Sequence, residues 1–300
     1  MSGILFNLFV IPFFYLLSLL PFPVLYLFSD FVYVVLYHII GYRKDVVLQN
    51  LRNSFPEKTE KEINAICKAY YHYLCDLFLE TFKSLTISKK EALKRCTFSP
   101  ETLAIITKYG EQNQSVILSM GHMGNWEWGG NTFSTICRHQ LYTIYHPIGN
   151  EQFDKFMYKL RTRFGTKLIT MKNTYKETLA RKGELTATAF IADQTPRPDN
   201  AYWTTFLNQD TPVFKGFEAI SRQLNYPVIY SKIIRLKRGY YQVQAEVLSE
   251  APAGLAENEL TERFTKRLEK DIIAHPETWL WSHRRWKHKR PVLNKLQLTN

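Results

Sequence analysis

The run Ser119-Met120-Gly121-His122-Met123-Gly124-Asn125-Trp126-Glu127-Trp128-Gly129-Gly130 holds the residues best suited to chemistry in this 300-residue chain. If the turn folds back, His122 and Glu127 form a general base and its orienting acid, with Glu127 accepting the Nδ1 proton and Nε2 left to act. The run contains no serine or cysteine placed as a nucleophile, so the natural reaction is direct attack by a substrate hydroxyl, without a covalent enzyme intermediate. Backbone NH groups at Gly124 and Asn125, opening a following helix, are placed to hold a developing oxyanion with help from the helix dipole. A general base contributes roughly 10² to 10⁴ in rate and one oxyanion donor roughly 10² to 10³, so the chemistry needs both.

Such a turn must be held by a strand before it and a helix after it. The apolar Val116-Ile117-Leu118 supplies the strand. Around it, β-type runs at 115–120, 141–146, 167–170, 186–192 and 227–236 alternate with helical stretches near 125–138, 151–164, 174–182 and 215–224. That alternation predicts an α/β fold with a mainly parallel central sheet flanked by helices on both faces, whose ligands bind at the carboxyl edge of the strands. A strand at 240–247 is expected to form a hairpin with 227–236 across Lys237-Arg238-Gly239. Residues 43–95 read as helical, with Ile63, Ile66, Ala69, Tyr70, Leu74, Leu77, Phe78 and Phe82 forming one stripe, and a last amphipathic helix carries Leu260, Phe264, Leu268 and Ile272. We find no internal repeat and no long linker.

The first forty residues are of another kind. Ile4 to Phe28 is 25 residues without a charge, and Phe31 to Ile40 continues apolar until Arg43-Lys44. Such length suits lipid, while Pro12, Pro21 and Pro23 rule out one straight rod. The expectation is an N-terminal apolar membrane-anchoring helix or helical hairpin, residues 3–20 and 24–40 with a break at Pro21-Phe22-Pro23. A cleaved signal fits poorly, because no basic residue precedes the run and no convincing small-x-small site follows it, so the anchor is expected to persist. The division expected is an anchor at 1–42 and a catalytic domain at 43–300, held on the cytoplasmic side by the basic residues after the anchor.

Composition bounds the partners. With 39 Lys+Arg against 27 Asp+Glu the net charge is +12, which favours polyanions or anionic membranes without choosing between them. Four cysteines without CxxC spacing argue against a disulfide scaffold or zinc site and for a reducing compartment. The cluster Arg284, Arg285, Lys287, Lys289 and Arg290 is interleaved with Trp281, His283, Trp286 and His288. Lacking any nucleic-acid-binding signature, it is read as contacting acceptor phosphates or a membrane.

Gly-His122-Met-Gly-Asn-Trp-Glu127 resembles the His-x4-Asp/Glu signature of glycerolipid acyltransferases, in the Asn-Trp-Glu form of the lipid A late acyltransferases (lauroyl/myristoyl transferases). Further stretches are similar in order: Arg43 with Asn50-Leu-Arg-Asn-Ser-Phe-Pro56, Tyr145-His-Pro-Ile-Gly-Asn150, Arg161-Thr-Arg163-Phe-Gly165, Asp193-Gln194, and Pro276-Glu-Thr-Trp-Leu-Trp281-Ser-His-Arg-Arg-Trp-Lys287. The resemblance implies transfer of a fatty acyl chain from acyl carrier protein, or coenzyme A, to a hydroxyl of a lipid A precursor at the inner membrane, with no metal and no cofactor beyond the acyl donor. It further implies that Arg161 and Arg163 bind the oxyanion or the phosphopantetheine phosphate, and that Asp193, with Gln194, sits at the same sheet edge and fixes a base or hydroxyl of the site. Two alternatives stay open at this stage: another membrane acceptor such as a glycolipid, lyso-phospholipid or aminolipid, and a non-catalytic basic lipid-binding protein.

Overall fold

A computed structural model describes residues 6–291. After a π-wound turn at Phe6–Val10, helix α1 (Ile11–Leu19) ends at Pro21, and α2 (Phe22–Tyr33) runs on as a π-wound segment, Val34–Ile40, that stops on Gly41 in the left-handed region (φ 64°). The break falls at the expected prolines; the expected start at residue 3 lies outside the described residues. Helix α3 (Lys44–Ser54) leads to α4 (Glu60–Lys83), which begins in a capping box between Thr59 and Glu62.

Next in chain order are α5 (Lys89–Arg95), β1 (Cys96–Phe98), α6 (Pro100–Glu111), β2 (Val116–Met120), α7 (Trp126–Ile136), β3 (Gln140–Tyr145), α8 (Glu151–Thr162), β4 (Lys167–Thr170), α9 (Thr174–Ala180) and β5 (Thr186–Ile191). The chain closes with β6 (Tyr202–Phe206), β7 (Gln209–Val213), α10 (Gly216–Leu224), β8 (Val228–Lys237), β9 (Tyr240–Ser249) and α11 (Glu259–Ala274).

Seven strands form one sheet in the order β1-β9-β8-β2-β5-β3-β4, and every neighbouring pair is parallel except the β8–β9 hairpin. The hairpin turns at Gly239, whose φ of 74° suits glycine. Strand β2 lies near the middle, with Val116, Ile117, Leu118 and Ser119 all buried, which is why it reads as a continuous apolar run without alternation. The β6–β7 hairpin was not foreseen. Its turn residues, Leu207 and Asn208, take φ of 49° and 61° without the Asn-Gly or Asp-Gly that normally announces such a turn.

Two acids interrupt the apolar stripe of α4, and both are buried in its C-terminal third. Asp76 takes Arg235 at 2.6 Å and Arg238 at 2.7 Å. Glu80 accepts from Tyr241 Oη (2.7 Å), Tyr26 Oη (2.8 Å) and Asn125 Nδ2 (2.9 Å). Burial lifts the Glu80 carboxyl from 4.5 to about 7, against the pull of these donors. Because the folded chain holds this proton more tightly than the unfolded one, the stability it contributes is complete below about pH 4.5 and is lost as the pH rises through about 7. Glu80→Gln keeps the shape and the neutral state. Its melting temperature should match the parent's near pH 5 and exceed it by several degrees at pH 8; a difference independent of pH across that range would contradict the assignment.

Candidate active site

The register of two neighbouring strands builds the centre of the site. Met120 at the end of β2 pairs with Ile191 at the end of β5, so the residues two places further on, His122 and Asp193, emerge side by side at the carboxyl edge of the sheet. Asp193 Oδ1 lies 2.6 Å from His122 Nδ1, and Oδ2 accepts from the His122 backbone NH and from Trp279 Nε1, both at 2.8 Å. The carboxylate is almost wholly enclosed. Burial by itself raises its pKa, but the His122 charge and hydrogen bonds, together with Trp279, hold it down at about 2.

This corrects one sequence expectation. Glu127 does not orient His122: as the second residue of α7 it faces Arg161 of α8, whose Nε and Nη2 reach its Oε1 at 2.9 and 2.8 Å. The turn does not fold back on itself, because Asn125 caps α7 by accepting from the Trp128 NH at 3.0 Å and directs the helix away from the imidazole. His122 and the Glu127–Arg161 pair nevertheless line one cavity of about 340 Å³ between the sheet and α7, together with Trp126 and Gln194, while Asp193 stands behind His122. Its interior is apolar, with Leu118, Phe133, Leu141, Ala189 and Val243 among its walls.

Other expected roles are corrected by the same contacts. The Gly124 NH donates to Thr278 O (3.3 Å) and its carbonyl accepts from Tyr73 Oη (2.5 Å), so this backbone is already engaged. The Asn125 side chain is fully buried between Glu80 and the first turn of α7, where it scaffolds the site without touching the cavity. Arg163 points away and donates to the carbonyls of Ser84 and Ile87, each at 2.8 Å, tying α8 to the end of α4. Arg284 is exposed, as headgroup contact requires. Arg285 is only 1% exposed and cannot reach a headgroup; burial lowers its pKa to about 10, partly offset by the Asp193 charge.

Arg285 is enclosed because the segment carrying it is clamped. Asn50 Nδ2 donates to the carbonyls of Trp281 (2.9 Å) and His283 (3.1 Å), Arg43 Nη1 donates to Ser282 O (3.0 Å), and Thr195 Oγ1 donates to Arg285 O (2.6 Å). The runs around residues 43–56 and 276–287, far apart in sequence, thereby meet behind Asp193. The tryptophans serve packing: Trp281 is fully buried and Trp286 donates to Thr211, which removes the stacking platform a nucleic acid would need. His283 beside Thr195 is held down at about 4 by burial.

Trp279 and Glu80 were missed as site-building residues. Glu80 had a legible signal, a carboxylate placed on the apolar stripe of a helix; Trp279 lay inside the 276–287 run, but nothing there assigned it a partner, since an indole NH announces none.

The description of bacterial lipid A biosynthesis acyltransferases matches this chain over residues 2–288. Among curated proteins it is similar to a lipid A biosynthesis palmitoleoyltransferase of Escherichia coli (strain K12) and to a lipid A biosynthesis acyltransferase of Shigella flexneri. Each is 25% identical over 276 residues, covering 91% of this chain and 88% of the relative.

Proposed function

The chain belongs to the bacterial lipid A biosynthesis acyltransferase family, and from that premise we propose that it moves a fatty acyl chain from a carrier-protein thioester to a hydroxyl of a lipid A precursor at the cytoplasmic face of the inner membrane. What supports this above all is an imidazole–carboxylate pair, His122–Asp193, at the wall of an apolar cavity.

In this reading Asp193 keeps the proton on Nδ1, so Nε2 takes the acceptor proton as the alkoxide forms and attacks the thioester carbon. The negative charge that gathers on the carbonyl oxygen, or on the donor's phosphate, is met by the Arg161 guanidinium, which Glu127 holds at the cavity. The carbon–sulfur bond then breaks. A thiol of pKa about 8.5 leaves readily, and the imidazolium returns its proton to the thiolate. The apolar interior takes the acyl chain, and the exposed Arg284 with the net charge of +12 suits an acidic carrier or phosphorylated headgroup. Residues 1–42 serve as the anchor and 43–300 as the catalytic unit.

Purified protein given defined carrier-protein or coenzyme A donors and a lipid A precursor with free hydroxyacyl chains should yield a product heavier by one acyl group in mass spectra. His122→Ala should reduce its formation by about 10² to 10⁴ with unchanged circular dichroism. Transfer to another lipid in preference, or undiminished activity in the variant, would overturn the acceptor or the base respectively.

A further inference from the structure

Helix α2 with its π-wound extension, Phe22–Ile40, is the one helix among the described residues long and apolar enough to cross a bilayer. The structure, however, lays it along α4. Tyr26 Oη donates to Glu80 (2.8 Å), Ser29 Oγ donates to Asp76 (2.7 Å), and the Tyr33 ring stacks on His72 with centroids 3.5 Å apart. Further along, Tyr37 meets Tyr71, so the contacts follow α4 backward from residue 80 to residue 71. Helix α1 is fastened to the end of the same element and the turn after it: the Ser18 carbonyl accepts from Lys83 and Thr86, each at 2.6 Å, and Phe14 stacks on Phe82 at 3.9 Å.

Asp30 is decisive. It lies near the middle of the nineteen-residue helix, and its carboxylate pairs with Arg238 of the β8–β9 turn at 2.6 Å. Standing upright through a membrane, the helix would carry Asp30 to the hydrocarbon centre and take Ser29 from the buried Asp76 and Tyr26 from the buried Glu80, both costly outcomes.

The opposite face is bare. Val24, Leu27, Phe31 and Val34 form one stripe of α2 and its extension, with Leu27 71% and Phe31 62% exposed, and Phe9, Phe13, Leu16 and Leu19, on α1 and the turn before it, are exposed as well. Lys44 follows the helix closely in the chain and Lys237 precedes Arg238, the partner of Asp30, so basic residues accompany the helix as an anionic surface would require. Phe14, on the packed side of α1, and Ile148 belong to one apolar cluster, and Ile148 also lines the cavity, so α1 is joined to the cavity wall through packed side chains.

We propose that α1 and α2 lie flat in one leaflet of an anionic membrane, with their bare stripe among the acyl chains and no segment of Phe22–Ile40 crossing it. The partner is the lipid surface itself, and the proposal stands or falls separately from the chemistry at His122.

The test places nitroxides one at a time at Val24→Cys, Leu27→Cys, Phe31→Cys and Val34→Cys in a Cys137→Ser background of the full chain, bound to phosphatidylethanolamine–phosphatidylglycerol vesicles. Flat docking gives four nearly equal shallow depths, about 5–10 Å below the headgroups. A crossing helix gives depths that differ by about 15 Å between residues 24 and 34, from a rise of about 1.5 Å per residue, and overturns the proposal. Absence of vesicle binding, or a dimer that covers the stripe in its place, overturns it too. The double variant Leu27→Asp/Phe31→Asp should lose vesicle binding at least about tenfold while acyl transfer to detergent-dispersed acceptor is retained, and undiminished binding would refute the assignment of the stripe.

Discussion

Asp193→Asn is expected to lower kcat about 10²- to 10⁴-fold with little change in the KM of either substrate. The amide would offer an NH to Nδ1, favouring the tautomer whose Nε2 already carries a proton and cannot accept another. Glu127→Gln should behave differently. It leaves the 2.6 Å Asp193 contact to His122 untouched and loosens Arg161, so the loss should fall more on the KM for the acyl donor. Steady-state kinetics of the two variants decide which carboxylate serves the base: an Asp193→Asn enzyme near parental kcat beside a Glu127→Gln enzyme without turnover would restore the pairing expected from sequence.

Stability gives an independent check on the same residue. The Asp193 pKa is depressed to about 2, so it contributes stability that is present above its ordinary 3.8 and lost as the pH falls through about 2. The gap in unfolding free energy between parent and Asp193→Asn should therefore be full at pH 6 to 7 and narrow in acid. Rates must be normalised to the folded fraction.

The second large effect is expected at Gly124. Its φ is +61°, and a Cβ there would stand 2.0 Å from the Ile233 carbonyl oxygen of β8. A side chain in this backbone region costs about 1–2 kcal/mol before any collision, and a strand carbonyl cannot swing aside as a flexible side chain can. Gly124→Ala should lose about 3 kcal/mol or more and displace the start of α7, taking activity with it. Gly149→Ala is the matched control, since no atom lies within 4 Å of its Cβ position, and it should stay within about 0.5 kcal/mol of the parent in urea unfolding. Equal stability of the two variants would refute the close approach of the turn to β8.

Much of this molecule was legible because its signals are local. The alternation of short β-type runs with amphipathic stretches predicted the parallel sheet, and strand β2 followed by a glycine-bearing turn and a helix placed His122 at the carboxyl edge. Proline spacing located the break between α1 and α2. The β6–β7 hairpin escaped because Leu207 and Asn208 adopt positive φ without the usual turn residues.

What the linear order determined, then, is which histidine follows β2, the edge of the sheet where it stands and the apolar character of the first forty residues, for these depend on residue type and on spacings within one or two turns of chain. Which carboxylate pairs with that imidazole, whether an arginine meets solvent or is enclosed, and which helix the apolar segment packs along were decided only in three dimensions. Strand register brought Asp193 beside His122 across 71 residues, the Asn50 clamp enclosed Arg285, and Arg238 held Asp30 against the body from 208 positions away. Contacts between segments so distant leave no period in the sequence; they follow from how the layers pack.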